Sequence, residues 1–464
     1  MGRTWQRLWP FAALAVLCTG FVVFRAAPLW SKVFAQPGET RLLGVDSYYH
    51  LRHIAFTAEH FPRLQRWDIA TGYPGGQYSD AIGLFTLTHA AAAVLLGAGS
   101  PGDQLIAQVA AWSGPALGVG VMLALYWLCR TLRMSPVAAL AACAIYVFYP
   151  GASLARTSLG FADHHAAELL LALLTVGGLV RCLQAGESDK PPSWWRPAVL
   201  SSAPFAMFVF TWHGAPMYLI LVGAMMLAVA TVDIKHDRPA RPLITVCFRY
   251  GMGLLITTGL VGWLLPTLLI NESLWRKTLL GAIVLAVGPG LYMLAGRAAI
   301  RRGLKPWGAA VVCMLLAVLL GAAFLAVEPE YRELARALTS PKSQIVAEHR
   351  AFTSGIFWFE LGPPGLIGLL ALPVGLVAAW RDSRHRFALA ALLAGAMITA
   401  LSLRTYDYDY MPPAFFAMMA MWLVCRFFAG LLANWSIGER AMMGSVLTVA
   451  AVMPLWPLGW VQVF

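Results

Sequence analysis

Long apolar runs separated by short basic loops dominate this chain of 464 residues, and they decide its class before any motif is read. A helix needs roughly 20 residues to cross the hydrocarbon core of a bilayer, and most of the runs approach that length. In lipid a backbone can satisfy its own polar groups only as a helix or as a closed barrel. A barrel would alternate polar and apolar residues over short segments, so unbroken runs select helices. Composition agrees: 59% of residues are hydrophobic and 12% charged, too little charge to cover a water-soluble surface or to keep a chain disordered. The expected fold is an all-α polytopic membrane protein.

The net charge of +12 does not point to nucleic acid, because the basic residues gather in short loops between apolar runs. Arg297, Arg301, Arg302 and Lys305 form one such group, and Arg381, Arg384 and Arg386 another. That pattern orients a membrane protein, with basic loops inside. The 7 cysteines lie in or beside apolar segments and form no Cys-x-x-Cys pair, so they read as small packing residues rather than a disulfide or zinc framework. Arg3 and Arg7 precede an apolar stretch from Phe11 to Phe24 without a convincing cleavage site, which predicts a retained first helix.

The first span exits near Trp30, and the polar stretch after it reads as a folded loop. Ala81–Gly97 is apolar but short. Counting it as a span would put the Arg297–Lys305 group outside. Leaving it in the loop keeps every basic group inside. Further spans are then expected near 105–129, 135–152, 166–183, 198–212, 214–232, 246–270, 278–296, 308–327, 361–380, 387–403, 411–430 and 442–462, about thirteen in all. The outer loops become 31–104, 153–165, 328–360 and 404–410, within one transmembrane domain over 1–464 and with no soluble C-terminal domain.

The scarce ionisable groups collect in those outer loops. The first carries Asp46-Ser47-Tyr48-Tyr49-His50-Leu51-Arg52, the second Asp163-His164-His165 with Glu168 entering the next helix, the third Glu348-His349-Arg350, and the fourth Arg404 with Asp407 and Asp409. Carboxylates and imidazoles at a membrane boundary are costly and usually functional or paired. Asp163 and His165 are two residues apart, so an extended segment would turn both to one side. With Asp46 and Glu348 they would offer hard oxygens and one nitrogen, a set suited to Mg²⁺ or Mn²⁺ rather than zinc. Each group also has a structural reading. Asp46 could pair with Arg52, water could satisfy His164 and His165, Glu348 could bridge Arg350, Arg404 could snorkel, and the Tyr and Trp residues could form the interfacial belt. Their joint appearance on one face favours a site.

These motifs resemble the catalytic subunit of oligosaccharyltransferase, the family of archaeal AglB and bacterial PglB. Asp46–Arg52 is similar to its first acidic motif, and Trp67-Asp68 and Tyr73-Pro74-Gly75-Gly76 resemble later residues of the same loop in that family. Gly160-Phe161-Ala162-Asp163-His164-His165 is similar to the archaeal second motif, in which Asp-x-His supplies two metal ligands. Ile345-Val346-Ala347-Glu348 resembles the later motif ending in Glu, with Ile345 where the family has Ser or Thr, and the segment around Trp212 also fits.

The resemblance implies a fold of the glycosyltransferase C superfamily with about thirteen spans. It implies a Mn²⁺ or Mg²⁺ site made of Asp46, Asp163, His165 and Glu348. Asp46 and Glu348 would be catalytic, binding the acceptor amide, and Arg404 would contact the lipid diphosphate. Tyr49, Arg52, His164 and Trp212 are secondary candidates. The implied activity moves a glycan from a polyprenyl-diphosphate carrier to a protein acceptor, expected to be asparagine, at the extracytoplasmic face of a prokaryotic cell membrane. The family's Trp-Trp-Asp-Tyr-Gly motif, which reads the acceptor sequon, is absent from the sequence; this leaves open a separate acceptor-reading subunit or another acceptor. The competing enzyme reading is a metal-independent transferase that uses a polyprenyl-monophosphate sugar to modify protein hydroxyls or lipid. A transporter or flippase would instead place charge near mid-helix and show internal repeats, and neither is visible.

Overall fold

The computed structural model describes residues 3–71, 73–78, 83–149, 151–186, 196–212, 214–215, 217–264, 272–327, 354–404 and 410–428. The chain opens with α1 (Arg3–Ala26) and a short α2 (Trp30–Val33), then α3 (Val45–Glu59). A two-stranded antiparallel ribbon comes next, β1 (Trp67–Asp68) and β2 (Gln77–Tyr78), with Trp67 opposite Tyr78. After it run α4 (Gly83–Leu96), α5 (Asp103–Thr131), α6 (Pro136–Phe148), α7 (Ala152–Arg156), α8 (His165–Ala185) and α9 (Arg196–Thr211). The remaining described helices are α10 (Met217–Lys235), α11 (Ala240–Leu264), α12 (Glu272–Arg301), α13 (Pro306–Val327), α14 (Ser354–Arg381), α15 (Arg386–Arg404) and α16 (Pro412–Phe428).

Among the described residues, 8 helices are long and apolar enough to cross a membrane, from Leu8–Val33 to Ser383–Ser402. Shorter apolar helices include Gly83–Leu96, Pro136–Phe148, Ser201–Thr211, Pro306–Ala317 and Pro412–Phe427. The chain is therefore an integral membrane protein. The last expected span, 442–462, lies outside the described residues. Local chemistry explains several helix boundaries. Ser135 caps α6 by accepting from the Ala138 amide at 3.2 Å, with Pro136 in the first turn, where a missing N–H costs nothing.

Two apolar clusters organise the molecule. The larger runs through α5, α6, α8, α9, α10, α15 and α16 and buries Tyr146, Leu173, Phe208, Met225 and Phe415. The smaller one positions the site. It joins Ile54 of α3, Phe85 and Ala90 of α4, Ala110 of α5, and Leu159 and Ala162 from the segment before α8. The sequence reads 153–165 as a polar outer loop. Within it Ser153, Thr157, Ser158 and Leu159 are buried, because the chain coils into α7 and then lies along α5.

The lie of that segment depends on Gly114. A Cβ there would stand 2.7 Å from the Ser158 carbonyl oxygen and 3.1 Å from the Thr157 carbonyl carbon. Both are backbone atoms that cannot rotate away, so only glycine lets α5 and the segment approach this closely. We expect Gly114→Ala to cost about 1–3 kcal/mol by overpacking. Gly20→Ala, at a position with nothing within 4 Å, should be neutral or mildly stabilising. Thermal unfolding of both variants in detergent micelles checks the contrast.

Candidate metal and acidic site

The site is built where the N-terminus of α8 meets one face of α3. α8 begins at His165, with His164 as its N-cap in the helical region (φ −73°, ψ −15°). Asp163 and His165 are thus brought together by a loop-to-helix corner, not by the extended segment that the spacing alone predicts. The Asp163 carboxylate is buried at 1% exposure and sits at the centre. Its Oδ1 lies 2.6 Å from His164 Nδ1 and 3.3 Å from His50 Nε2, and it accepts from the His164 amide at 2.7 Å. Its Oδ2 accepts from Arg156 Nη1 at 3.1 Å and lies 3.3 Å from His165 Nε2.

A second carboxylate, Glu168, is held on the first turn of α8. His164 Nε2 approaches it to 2.8 Å and His165 Nδ1 to 3.6 Å, while the Tyr410 hydroxyl donates to its other oxygen. Tyr410 also packs against His165, with ring centroids 4.6 Å apart and the rings tilted by 40°. His164 therefore bridges two buried carboxylates. Burial disfavours its charge, but Glu168 and Asp163 outweigh that and raise its pKa to about 10. Burial likewise opposes charge on Asp163, yet His165, His164 and His50 hold it well below the usual carboxylate range. For His50 desolvation wins over the Asp163 contact, and its pKa falls.

His50, Asp163 and His164 place ligand atoms within 4.8 Å of one another, and so do His164, His165 and Glu168. The set fits a divalent cation. Each group combines one carboxylate with two imidazoles and contains no thiolate. The 3.3 Å between Asp163 Oδ2 and His165 Nε2 is close to the roughly 3 Å separating adjacent donors on one small divalent ion. Buried His50 Nδ1 also lacks a hydrogen-bond partner among the described residues.

Asp46 is exposed in the first turn of α3 and belongs to neither group of three. It lies one helical turn before His50, hence on the same face. Arg52 pairs with Asp68 of β1 rather than with Asp46, and its guanidinium lies 5.6 Å from the Tyr49 ring. Tyr49 also packs against His53 at 4.5 Å. Trp212 is buried between Phe208 and Tyr218, at 5.7 and 6.3 Å, and so takes part in packing. Arg404 ends α15, and its side chain, like all of Glu348, lies outside the described residues. Sequence reasoning does not single out His50 or Tyr410 as site residues. The Asp46–His50 spacing of one helical turn is the available signal for the first.

Asp68 forms a second buried cluster beside the first. It is 1% exposed and accepts from Arg52, from Thr71 Oγ1 at 2.5 Å and from the Ala70 amide at 3.0 Å, with His53 Nε2 at 3.4 Å. Desolvation pushes its pKa up, but the Thr71, Arg52 and Ala70 hydrogen bonds prevail and bring it to about 2. Burial, with Arg52 nearby, lowers the His53 pKa to about 4. Asp68 thus ties the ribbon to α3.

The model of the family "Oligosaccharyl transferase STT3, N-terminal" matches residues 16–293. AglB of Haloferax volcanii, a dolichyl-monophosphooligosaccharide–protein glycotransferase, is 26% identical over 239 residues, 48% of this chain and 22% of that protein. The dolichyl-phosphooligosaccharide-protein glycotransferase 3 of Archaeoglobus fulgidus is 31% identical over 173 residues, 37% of this chain and 19% of its own length. Archaeoglobus fulgidus AglB, solved with an inhibitory peptide and a dolichol-phosphate, superposes with a TM-score of 0.81 at 19% identity, covering 99% of this chain and 56% of that one. The Archaeoglobus fulgidus oligosaccharyltransferase solved with Zn and sulfate gives a TM-score of 0.73 at 18% identity, covering 97% and 53%. These likenesses show the fold, and the chain spans about half the length of the structures it matches.

Removing the Asp68 carboxylate should cost about 1–3 kcal/mol, the worth of hydrogen bonds to a charged group. Its folded pKa of about 2 lies below the ordinary 3.8, so its contribution is present above that ordinary value and fades as pH falls through 2. We therefore expect Asp68→Ala to be less stable than the native chain from neutral pH down to about pH 4, with the gap closing toward pH 2. Unfolding in micelles across that range measures it.

Proposed function

The chain belongs to the oligosaccharyl transferase STT3 family, and on that membership and the site's chemistry we propose that it transfers a glycan from a polyprenyl-phosphate carrier to an asparagine of a protein acceptor. The observation that carries this reading is the pairing of buried Asp163 with His165 at 3.3 Å, in the corner that opens α8. In this reading Asp163 and His165 hold Mn²⁺ or Mg²⁺, joined by Asp46 from α3 and by Glu348. The ion would supply a positive charge beside the leaving phosphate as its oxygens become more negative.

The chain's own residues do the rest. Asp46 and Glu348 accept the two hydrogens of the acceptor amide, which weakens its resonance and frees the nitrogen lone pair; the bond from nitrogen to the anomeric carbon forms as the bond from that carbon to the carrier phosphate oxygen breaks, and one of the two carboxylates takes the proton the nitrogen loses. Arg404 presents a bidentate donor to the carrier phosphate. His50 and Glu168 brace Asp163, His164 and His165, so that the donors are in place before substrate arrives. Basic residues in the short loops orient this corner to the extracytoplasmic face of a prokaryotic cell membrane. About thirteen spans complete the fold in this reading: the 8 long helices, all the shorter apolar ones except Gly83–Leu96, and 442–462.

A specific observation bears on the carrier. The sequence resemblance implies a diphosphate, whereas the Haloferax volcanii relative is named for a monophosphooligosaccharide. A monophosphate donor is therefore the second reading, and it uses the same Arg404 and the same acidic corner.

The test incubates purified chain with Mn²⁺, an Asn-x-Thr peptide, and glycan on either a mono- or a diphosphate polyprenyl carrier. We expect glycosylated asparagine by mass spectrometry, abolished by EDTA and restored by Mn²⁺. Asp46→Ala, Asp163→Ala, His165→Ala and Glu348→Ala should each lower transfer about 100-fold or more. Arg404→Ala should raise the KM for donor about tenfold, the scale of one charge-assisted phosphate contact. Native rates in the four acidic-site variants would remove the mechanism. Metal-independent modification of a hydroxyl acceptor would replace the proposed activity with the competing transferase.

A further inference from the structure

Arg25 lies in the last turn of α1 and is 1% exposed, among the largest fully buried side chains described. An arginine at the end of a membrane helix ordinarily snorkels its head to the interface; this one turns inward. Its Nε donates to Thr157 Oγ1 at 2.9 Å, and its guanidinium carbon lies 4.7 Å from the Phe21 ring centroid and 5.4 Å from that of Phe24. Among the described residues, buried Nη1 and Nη2 find no hydrogen-bond partner and no carboxylate pairs with Arg25. Burying a cation without a counter-ion is costly, and an apolar side chain of similar volume would avoid the cost.

What Arg25 holds is the segment that leads into the acidic corner. Thr157 Oγ1 passes the contact on by donating to the Ser153 carbonyl at 2.8 Å. The Arg25 carbonyl accepts from the Leu159 amide at 3.1 Å, so one residue grips the segment by side chain and backbone together. Beyond that grip the Gly160 amide donates to the Ala111 carbonyl of α5 at 2.9 Å, and the Ala162 amide to Ser47 Oγ of α3 at 3.0 Å. Asp163 is the next residue. A shift of Thr157 along α1 would therefore move Asp163 relative to His50 and Asp46, both on α3.

We propose that Arg25 is a positioning residue for the Asp163–His165 corner, acting through Thr157 to fix the height of the segment against α1. Neither Arg25 nor Thr157 belongs to the groups that could hold an ion. The effect on activity rests on the function proposed above, whereas the effect on the segment does not.

The experiment compares native chain, Arg25→Met, Thr157→Val and Thr157→Ser in nanodiscs. Hydrogen exchange over residues 157–163 should quicken about tenfold or more in Arg25→Met and Thr157→Val, with α10 and α11 unchanged. Thr157→Ser keeps the hydroxyl and should exchange at the native rate. The two disruptive variants should also bind Mn²⁺ about tenfold more weakly and lose kcat at unchanged peptide KM, as expected for displaced rather than deleted ligands. Thr157→Val gives the answer if Arg25→Met does not fold. Native exchange in both disruptive variants overturns the proposal, and so does native Mn²⁺ affinity despite faster exchange. If the native chain binds no Mn²⁺ and transfers no glycan while exchange still responds, the function reading fails and the anchoring of the segment by Arg25 stands.

Discussion

A carboxylate removed from water is the constraint around which this molecule is arranged. Ionised Asp163, at 1% exposure, carries a desolvation penalty of several kcal/mol that only close partners can offset. The chain supplies them from separate stretches: His50 from α3, Arg156 from α7, and His164 and His165 from the opening of α8. Glu168 then binds the far sides of the same two imidazoles and ties them to Tyr410. Because each imidazole serves two acceptors or lies between them, the cluster behaves as one network, and loss of any member leaves another buried group unsatisfied.

Such a network needs its backbone fixed to within fractions of an ångström, and the fold achieves this with close backbone approach. Gly114 lets the segment after α7 lie directly on α5, and Gly160, at φ +86°, turns it where a side chain would meet Val33 at 2.7 Å. Once there, its amides and carbonyls bond to α1, to α5 and to the stretch before α3, as in the 2.8 Å contact from the Leu43 amide to the Gly160 carbonyl. These bonds do for an irregular segment what the intrahelical ladder does for a span, leaving few buried polar groups unpaired.

The membrane class, the helical character of the described apolar runs and the concentration of ionisable groups before α8 are legible in the sequence, because each depends on local pattern: run length, loop charge, and rare residues close together. Contacts made across the fold are not. Arg52 reads as a partner for Asp46 six positions away, yet the ribbon folds back and offers Asp68 instead. His50 reads as one more residue of an aromatic helix until α3 is laid against the α8 corner. The spacing of Asp163 and His165 pairs them in space, and the structure does so for a different reason, since a helix begins at His165 where the spacing alone predicts an extended strand. The segment 153–165 reads as a polar outer loop, and nothing local reveals that the Thr157 and Ser158 hydroxyls are spent on the segment's own carbonyls, as Ser158 is on Leu154 at 2.7 Å.

The placement of carboxylates at helix starts gives the site its electrostatic character. Asp46 lies in the first turn of α3 and Glu168 in the first turn of α8, and Asp163 stands just before the α8 cap. The N-terminus of a helix carries the equivalent of about half a positive charge, which stabilises nearby anions by roughly 0.3–1 kcal/mol each. Two helix starts therefore share in holding negative charge, without spending a lysine that would also repel a cation. Among the described residues Arg156 is the one arginine in direct contact with Asp163, beside the His164 imidazolium, and it is partly buried. Exposed Asp46 and buried Asp163 thus face different tasks. The inner carboxylate is already braced and needs no water to remain ionised, whereas the outer one is free to meet whatever approaches. In the proposed chemistry this split lets the buried carboxylate hold an ion from within while exposed Asp46 meets the incoming amide.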